Sequence, residues 1–232
     1  HPGTDAAVAQ AMTHVILQEY YENQPNDMFI NYAKQYSDMP FVIMLDEDEN
    51  GYKAGRFLRA SDLGMSGENN EWKPVIQDKL SQQLLVPNGT MGQRWEEGKK
   101  WNLKLETEDG TPIDPMLSMA ESDYHVETIQ FPYFDSSGDG IFERPIATRT
   151  IQLANGEEVK IATVYDLMTS QYGVQRFEHE LEATSYDDAS SKYTPAWQEQ
   201  ITGIKKELVT KVAKEFAQNA IDTGGRSMII MG

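Results

Sequence analysis

The sequence predicts an α/β protein in which a parallel sheet lies between layers of helices and carries a β-rich insertion. Helical patterns occupy both ends of the chain, and near the C-terminus "DTGGRSMIIMG" adds a loop, a buried-type strand and a glycine, which is typical of folds with parallel strands. Residues 41–163 instead alternate short apolar runs with turn signals, which is typical of β-hairpins. We therefore expect a three-layer, Rossmann-like core over residues 1–40 and 164–232, and a large β-hairpin-rich insertion over residues 41–163.

The composition excludes several classes of partner and site. The 232-residue chain has 20 Lys and Arg against 37 Asp and Glu, a formal net charge of -17, so nucleic acid and anionic membrane surfaces would repel it. It contains no cysteine, which excludes disulfides, thiolate metal ligands, cysteine nucleophiles and an iron–sulfur cluster held by its own thiols. No apolar run approaches the roughly 18 residues of a membrane-spanning helix. We expect no nucleic-acid partner and no direct membrane span.

Two helices are predicted before residue 40. Asp5 is placed to cap the first, because its carboxylate can accept hydrogen bonds from free N–H groups of the first turn, and Ala6–Tyr21 follows without Gly or Pro. The apolar face of this helix is formed by Val8, Met12, Val15 and Ile16. His14 lies off that face, so we expect it to be exposed. The second helix is predicted over Asn26–Tyr36.

After residue 40 the pattern becomes strand-like. Phe41–Leu45 and Tyr52–Ala60 flank the acidic segment "DEDENG", whose Asn-Gly pair suits a tight hairpin turn. The segment also matches the start of a calcium-binding loop, but its twelfth position is Phe57, where such a loop needs a bidentate Glu. "DSSGDGIFERPI" fails the same test at Ile146. We therefore predict an acidic hairpin tip for the first segment and a loop for the second.

Helical patterns return from residue 164. One helix is predicted over Tyr165–Tyr172, and Thr194-Pro195 supplies a cap followed by the residue best tolerated at a first helical position. A longer helix follows, in which apolar residues recur every fourth position. These residues predict one buried face: Ile204, Leu208, Val212 and Phe216. After this helix, "RSMIIMG" predicts a buried strand.

Most catalytic and metal-binding signatures are absent from the sequence. The four histidines show neither i, i+4 pairing nor neighbouring acids at metal-ligand spacing, so a zinc site is not expected. Neither a G-x-S-x-G nucleophile elbow nor a G-x-x-x-x-G-K-S/T phosphate loop occurs. Ser185 and Asp187 lie in "ATSYDDAS", which we interpret as a turn. We therefore assign no catalytic residue and no metal ligand to this chain.

The turn "PGTD" before the first helix is the candidate binding site. Gly3 lets the backbone approach a ligand closely, and Thr4 together with the helix N-terminus offers hydrogen-bond donors to a phosphate. The carboxylate of Asp5 can pair with the N1 and N2 hydrogens of guanine. The same residues would also begin a helix in a protein without any nucleotide, so local chemistry leaves both interpretations open.

Four stretches, in their order along the chain, resemble the molybdopterin oxidoreductase family. They are "PGTDAAVAQAMTHVIL" (2–17), "YKAGRFLRASDL" (52–63), "YTPAWQEQITGI" (193–204) and "FAQNAIDTGGRSMIIMG" (216–232). Four shorter landmarks agree: "NEW" at 70–72, "FPYF" at 131–134, "TVYDL" at 163–167 and "ATSYDD" at 183–188. Within the family, the resemblance is to the alpha chains of membrane-bound respiratory nitrate reductases, and it covers essentially the whole sequence.

This resemblance implies a cofactor site. In the family, a large subunit binds molybdenum between two molybdopterin guanine dinucleotides, and a Gly-Thr-Asp turn contacts one guanine nucleotide, so Gly3, Thr4 and Asp5 would have that role. The strand ending at Gly232 leads, in relatives, into a loop that also touches the cofactor, which makes Gly232 the fourth expected cofactor-binding residue. The 4Fe-4S cluster segment, the protein ligand to molybdenum and the domain over the second dinucleotide are not found in this sequence. We therefore expect an internal fragment that is inactive by itself.

The implied reaction is the reduction of nitrate to nitrite by oxygen-atom transfer. Electrons would arrive through an iron–sulfur beta subunit and a membrane cytochrome b gamma subunit, which would also hold the protein at the cytoplasmic face of the cell membrane. Two alternatives stay open. One is another molybdenum oxidoreductase, such as a nitrite oxidoreductase or a selenate or chlorate reductase. The other is a non-catalytic acidic interaction domain in which the Gly-Thr-Asp turn only caps a helix.

Overall fold

A computed structural model of the protein describes residues 2–98, 103–135 and 138–230. The chain divides into two compact units, one comprising His1–Ile30 with Thr169–Gly232 and the other comprising Asn31–Met168. Helices build the first unit, whereas strands dominate the second. The predicted mixture of α and β structure is therefore confirmed.

The helices lie close to their predicted positions. They are α1 (Asp5–Leu17), α2 (Asp27–Tyr36), α3 (Val164–Gln171), α4 (Pro195–Thr202) and α5 (Lys206–Thr223), and a π-helical turn over Gln18–Asn23 extends α1. Among the described residues, no helix combines the length and the apolar character required to span a lipid bilayer.

Helix α1 packs against α4 and α5 in the first unit. The buried residues between α1 and α5 are Ala11, Met12, Val15, Val209 and Ala213. Two of these five residues are alanines, whose small side chains let the helix backbones approach closely. This packing fixes the direction of α1 within the unit.

Two predicted helix starts have different outcomes. Thr194 caps α4 as expected, because its hydroxyl accepts a hydrogen bond from the backbone N–H of Trp197 (3.1 Å) and Pro195 is the first helical residue. The prediction that Asp5 caps α1 is wrong. Thr4 occupies the capping position and Asp5 is the first residue of the helix, since the carbonyl of Thr4 already accepts a hydrogen bond from Ala7 (3.1 Å).

The buried face of α5 differs from the predicted one, although the predicted Phe216 packs, partly buried, against the core cluster. The residues on its buried face are Val209, Ala213, Ala217 and Ala220, whereas the larger Ile204, Leu208 and Val212 are exposed. Leu208 is 53% exposed and its neighbour Val209 is 3% exposed. The neighbouring helix α1 lies close enough to exclude larger side chains from that face, and an apolar pattern alone cannot indicate this.

The second unit is built on a closed barrel of five strands. Its strands, in barrel order, are β1 (Val42–Asp48), β2 (Gly51–Phe57), β5 (His125–Asp135), β6 (Gly138–Gln152) and β7 (Glu158–Thr163), and two short strands, β3 (Ile76–Gln77) and β4 (Leu84–Leu85), form a separate pair. Only β2 and β5 run parallel in the described sheets, at Tyr52–Ile129 and Lys53–Gln130. Fully buried apolar residues such as Val42, Ile146 and Ile161 lie on the barrel strands.

The predicted Rossmann-like layering is not confirmed. The described part of the first unit contains no strand, and the barrel of the second unit is mostly antiparallel. Short connections join β1 to β2, β5 to β6 and β6 to β7, and connections of a few residues permit only antiparallel pairing. The sheet is therefore a mixed barrel, in which one pair of strands is parallel.

The predicted strand "RSMIIMG" is wrong over residues 226–230. These residues are irregular, and Met228, Ile229 and Ile230 are exposed. A parallel strand becomes buried only beside another strand, and no described residue of this unit supplies one. The last two residues of the prediction, Met231 and Gly232, lie outside the described part of the chain.

Of the predictions for the two acidic segments, one is confirmed and the other is wrong. The first is a hairpin as predicted: Asp48 pairs with Gly51, the turn is Glu49-Asn50, and Gly51 has φ +123°, which L side chains rarely adopt. The loop predicted for "DSSGDGIFERPI" is wrong, because β5 reaches Asp135 and β6 begins at Gly138. Residues 136 and 137 of that segment are not among those described.

The carboxylate of Asp166 joins distant parts of the second unit. This fully buried residue near the start of α3 accepts hydrogen bonds from the Ser118 hydroxyl (2.5 Å) and the Met119 backbone N–H (2.8 Å). It also accepts hydrogen bonds from the hydroxyl (2.9 Å) and the backbone N–H (3.2 Å) of Thr163 at the end of β7. One side chain therefore stabilises both the start of α3 and the turn at residues 118–121.

We expect Asp166→Ala to lower the free energy of unfolding by about 3 kcal/mol, because several buried donors lose their acceptor together. The matched control is Glu49→Ala in the exposed hairpin turn, which should change it by less than about 0.5 kcal/mol. Urea unfolding of both variants measures the difference. Equal midpoints would contradict the role given to Asp166.

We expect Val209→Ala to lower the free energy of unfolding by about 2 kcal/mol, since it leaves a cavity against α1. Leu208→Ala removes a larger side chain from an exposed position and should cost less than about 0.5 kcal/mol. Thermal and urea unfolding would compare the two variants. A larger loss of unfolding free energy in Leu208→Ala than in Val209→Ala would show that the face predicted from the sequence pattern is the buried one.

Candidate functional site

The Gly3-Thr4-Asp5 turn adopts a conformation that requires its glycine. Gly3 has φ +78°, in the left-handed region that residues with a Cβ avoid. A Cβ placed on Gly3 would meet no other atom within 4 Å. Glycine is therefore required by the backbone angle, and this side of the turn is open enough for a ligand to approach the main chain.

The next two residues form the N-terminus of α1. Thr4 is half-buried, and its side chain makes no capping hydrogen bond to the helix. Asp5 is exposed, in the first turn of a 13-residue helix. Its carboxylate is placed to stabilise the positive end of the helix dipole whether or not a ligand binds.

The turn has the chemistry that a guanine nucleotide needs. The first N–H groups of α1 suit a phosphate, because helix N-termini carry unsatisfied donors and partial positive charge. The exposed carboxylate of Asp5 provides the acceptor that the guanine N1 and N2 hydrogens require. Gly3, Thr4 and Asp5 therefore fit that group. The fourth predicted residue, Gly232, lies outside the described residues.

His14 is buried, so its predicted exposure is wrong. It is 2% exposed, and its Nδ1 donates a hydrogen bond to the backbone carbonyl of Tyr172 (2.6 Å). Its ring also meets that of Tyr186 edge-on, with 5.6 Å between the centroids. His14 lines a cavity of about 260 Å³ whose other lining residues include Gln18, Glu19 and Tyr186.

A charged cluster beside this cavity was not identified from the sequence. The hydroxyl of Tyr186 donates to the carboxylate of Glu19 (2.8 Å), which also pairs with the ammonium of Lys214 (2.6 Å). Burial opposes ionisation of Glu19, but the hydrogen bonds from Lys214 and Tyr186 outweigh it and hold the pKa of Glu19 below its usual value. Burial and the neighbouring Glu19 carboxylate raise the pKa of Tyr186 well above its usual range.

This cluster joins residues 167 positions apart in the chain, so no local motif could have revealed it. Lys214 also stacks over the ring of Tyr186, 5.7 Å from its centroid. The three polar groups contact one another, and the cluster therefore holds the π-helical turn after α1, the 183–188 loop and α5 together. Within the described ranges, no group of three or more His, Asp or Glu residues is placed to hold a metal ion.

Known proteins resemble this chain over nearly its full length. The nitrate reductase alpha chain of Bacillus subtilis is 51% identical over 231 residues, which is 99% of this chain and 19% of that protein. The respiratory nitrate reductase 1 alpha chain of Escherichia coli is 41% identical over 244 aligned residues, again 99% of this chain and 19% of the relative. The perchlorate reductase subunit alpha of Dechloromonas aromatica is 22% identical over 231 residues. No protein-family model matches the chain.

These similarities confirm the resemblance found in the sequence motifs. The chain is homologous to nitrate reductase alpha chains at 51% and 41% identity, and it spans about a fifth of the length of the curated relatives that it matches.

We expect Glu19→Gln to weaken the acid dependence of folding. Because the pKa of Glu19 in the folded protein lies below its usual 4.5, its stabilising effect is present above that pH and is lost as the pH falls through the folded value. The free energy of unfolding should therefore decline less between about pH 6 and pH 3 in the variant than in the original protein.

The matched control for this measurement is Glu207→Gln, an exposed residue in the first turn of α5. It should leave the pH profile unchanged. Parallel profiles for the Glu19 variant and the original protein would show that the pairing with Lys214 and Tyr186 does not stabilise the carboxylate.

Proposed function

We propose that this chain is part of the catalytic alpha subunit of a respiratory nitrate reductase, which reduces nitrate to nitrite by oxygen-atom transfer at a molybdenum bis-molybdopterin guanine dinucleotide. The observation that carries the proposal is the identity of 51% and 41% with two nitrate reductase alpha chains along 99% of this chain. The conformation of the Gly3-Thr4-Asp5 turn gives independent support, because its angle, its exposure and its helix N-terminus suit a nucleotide.

Within that subunit, residues 1–40 and 164–232 belong to the cofactor-binding core, and residues 41–163 form an insertion rich in β structure. Thr4 and the first N–H groups of α1 bind a phosphate of one dinucleotide. Asp5 accepts hydrogen bonds from the guanine base, and Gly3 lets the backbone approach it. Gly232 is a further cofactor-binding residue, at the start of a loop that also contacts the cofactor.

The residues of this chain bind and orient, and they carry out no bond-making step. When bound, the molybdenum cofactor supplies the redox chemistry and the oxygen-atom transfer. No residue of this chain is assigned as a catalytic group or as a ligand to molybdenum. The 4Fe-4S cluster of the subunit must be held by residues elsewhere, because this chain has no cysteine. By itself the chain is inactive.

The partners of the complete subunit are an iron–sulfur beta subunit and a membrane cytochrome b gamma subunit. They deliver electrons and keep the complex at the cytoplasmic face of the membrane, so the chain needs no membrane contact of its own. The net charge of -17 agrees with this arrangement, because anionic lipid would repel the chain.

A second candidate is another molybdenum oxidoreductase. The identity of 22% with a perchlorate reductase alpha subunit favours it as an alternative. Identity with the nitrate reductase of Bacillus subtilis is more than twice as high, which favours nitrate as the substrate. In a non-catalytic interaction domain, by contrast, Asp5 would serve only the helix dipole.

A chimeric enzyme tests the proposal. This chain would replace the aligned segment of the Bacillus subtilis nitrate reductase alpha chain, and the purified complex would be assayed for nitrate reduction, molybdenum and released GMP. We expect an active enzyme. Asp5→Ala should lower the guanine nucleotide content and the activity by about tenfold or more, because a charge-assisted hydrogen bond contributes about 1.5–3 kcal/mol.

Asp27→Ala is the matched control, because Asp27 is also an exposed first residue of a helix in the same unit. It should retain nucleotide and activity. Titration of the isolated chain with GMP gives a second measurement, in which Asp5→Ala should bind more weakly than Asp27→Ala. Equal nucleotide content in both chimeric variants would remove Asp5 from the site, and an inactive chimera with a full cofactor complement would argue against the nitrate reductase assignment.

A further inference from the structure

The second unit contains an open cavity of about 430 Å³, with four aromatic side chains in its walls, that the proposed function does not use. It lies beside the C-terminal end of α2, the start of β1, the end of β2, and the turns at residues 72 and 91. Its apolar walls are formed by Tyr36, Phe41, Phe57, Trp72, Pro74 and Met91. A cavity of this size and lining is typical of sites for small organic ligands.

The aromatic walls extend beyond the cavity itself. Tyr36 and Trp72 are exposed, and so is Trp95, whose ring lies 5.8 Å from that of Trp72. Exposed tryptophans are costly because their large apolar surface meets water, and clustered exposed aromatics mark binding surfaces. The walls therefore favour a flat apolar group as the ligand body.

Arg59 gives the cavity a positive charge. Its guanidinium lies 5.4 Å from the centroid of the Trp72 ring and donates to the backbone carbonyl of Glu71. In the described part of the chain, no carboxylate forms an ion pair with it, whereas nearby Arg56 pairs with Asp62 at 2.7 Å. A guanidinium without a carboxylate partner, in a chain of net charge -17, favours an anionic group on the ligand.

Thr90 provides a second, independent indication. The residue is 1% exposed and lines the cavity. Among the residues described, the hydroxyl oxygen has no hydrogen-bond partner. A buried hydroxyl without a partner costs about 1–3 kcal/mol, and a ligand acceptor would recover that cost.

We propose that this cavity binds a small aromatic carboxylate. Its ring packs between the Phe57 and Trp72 walls, and its carboxylate accepts hydrogen bonds from the Arg59 guanidinium and the Thr90 hydroxyl. Asp38 also lines the cavity and carries the opposite charge to Arg59, so it opposes binding of the anion. A volume of about 430 Å³ suits one or two fused rings. The event is binding alone, and it does not depend on the proposed enzyme function.

Calorimetric titration of the whole chain with 1-naphthoate tests the proposal, with 1-naphthalenemethanol as the neutral analogue. We expect saturable binding of the carboxylate and about tenfold weaker binding of the alcohol, since the charge-assisted hydrogen bonds are lost. Thr90→Val keeps the side-chain shape and should weaken binding of the carboxylate about tenfold. Arg59→Gln should do the same, and Asp38→Asn should strengthen binding several-fold.

Arg56→Gln is the control, because Arg56 does not line this cavity and should leave the affinity unchanged. Urea midpoints show whether each variant is folded. If Arg59→Gln does not fold, the affinity of Thr90→Val for 1-naphthoate is the deciding measurement. A peptide arm, N-acetyl-Glu-Phe-amide, distinguishes a free carboxylate from an acidic aromatic segment of a protein. The proposal is overturned by absence of binding at millimolar naphthoate, by equal affinity for the alcohol, by an unchanged Thr90→Val variant, or by binding of the peptide alone.

Discussion

Close packing between α1 and α5 is the interaction on which the candidate nucleotide site depends. Ala11 and Ala213 lie in the core cluster between the two helices, where small side chains let the backbones approach. Because the buried face of α1 is held in this way, its N-terminus and the turn at Gly3 have a defined direction. The exposed Asp5 carboxylate then combines two roles without conflict, since it stabilises the helix end and is accessible to a base.

In the second unit, hydrogen bonds between residues far apart in the chain hold the elements in place. The barrel closes because β1 pairs with β7 and β2 pairs with β5, which are contacts between residues far apart in the chain. Asp166 adds a buried acceptor that connects the end of β7 to the turn at Ser118. Removal of this acceptor leaves several buried donors unpaired together, so Asp166 contributes to the stability of this unit beside its apolar core.

The two binding regions differ in what they recognise. The turn at Gly3 offers backbone N–H groups and a carboxylate, which suit a phosphate and a guanine base. The aromatic cavity instead offers Arg59 and the Thr90 hydroxyl, which suit an organic anion. Arg59 lines this cavity and forms no ion pair with a carboxylate in the described part of the chain, so its charge favours an anionic group on the ligand.

The sequence by itself determined the helices, the first acidic hairpin, the Thr194 cap and the Gly3-Thr4-Asp5 turn, because each depends on residues within a few positions of one another. The tertiary structure decided which face of α5 is buried, the burial of His14, the pairing of Glu19 with Tyr186 and the closure of the barrel. The exposed "RSMII" segment also could not be predicted from its own residues, since a strand pattern produces a strand only beside another strand. The physical reason is that packing distances and strand partners are set by residues far away in the chain, where no local pattern records them.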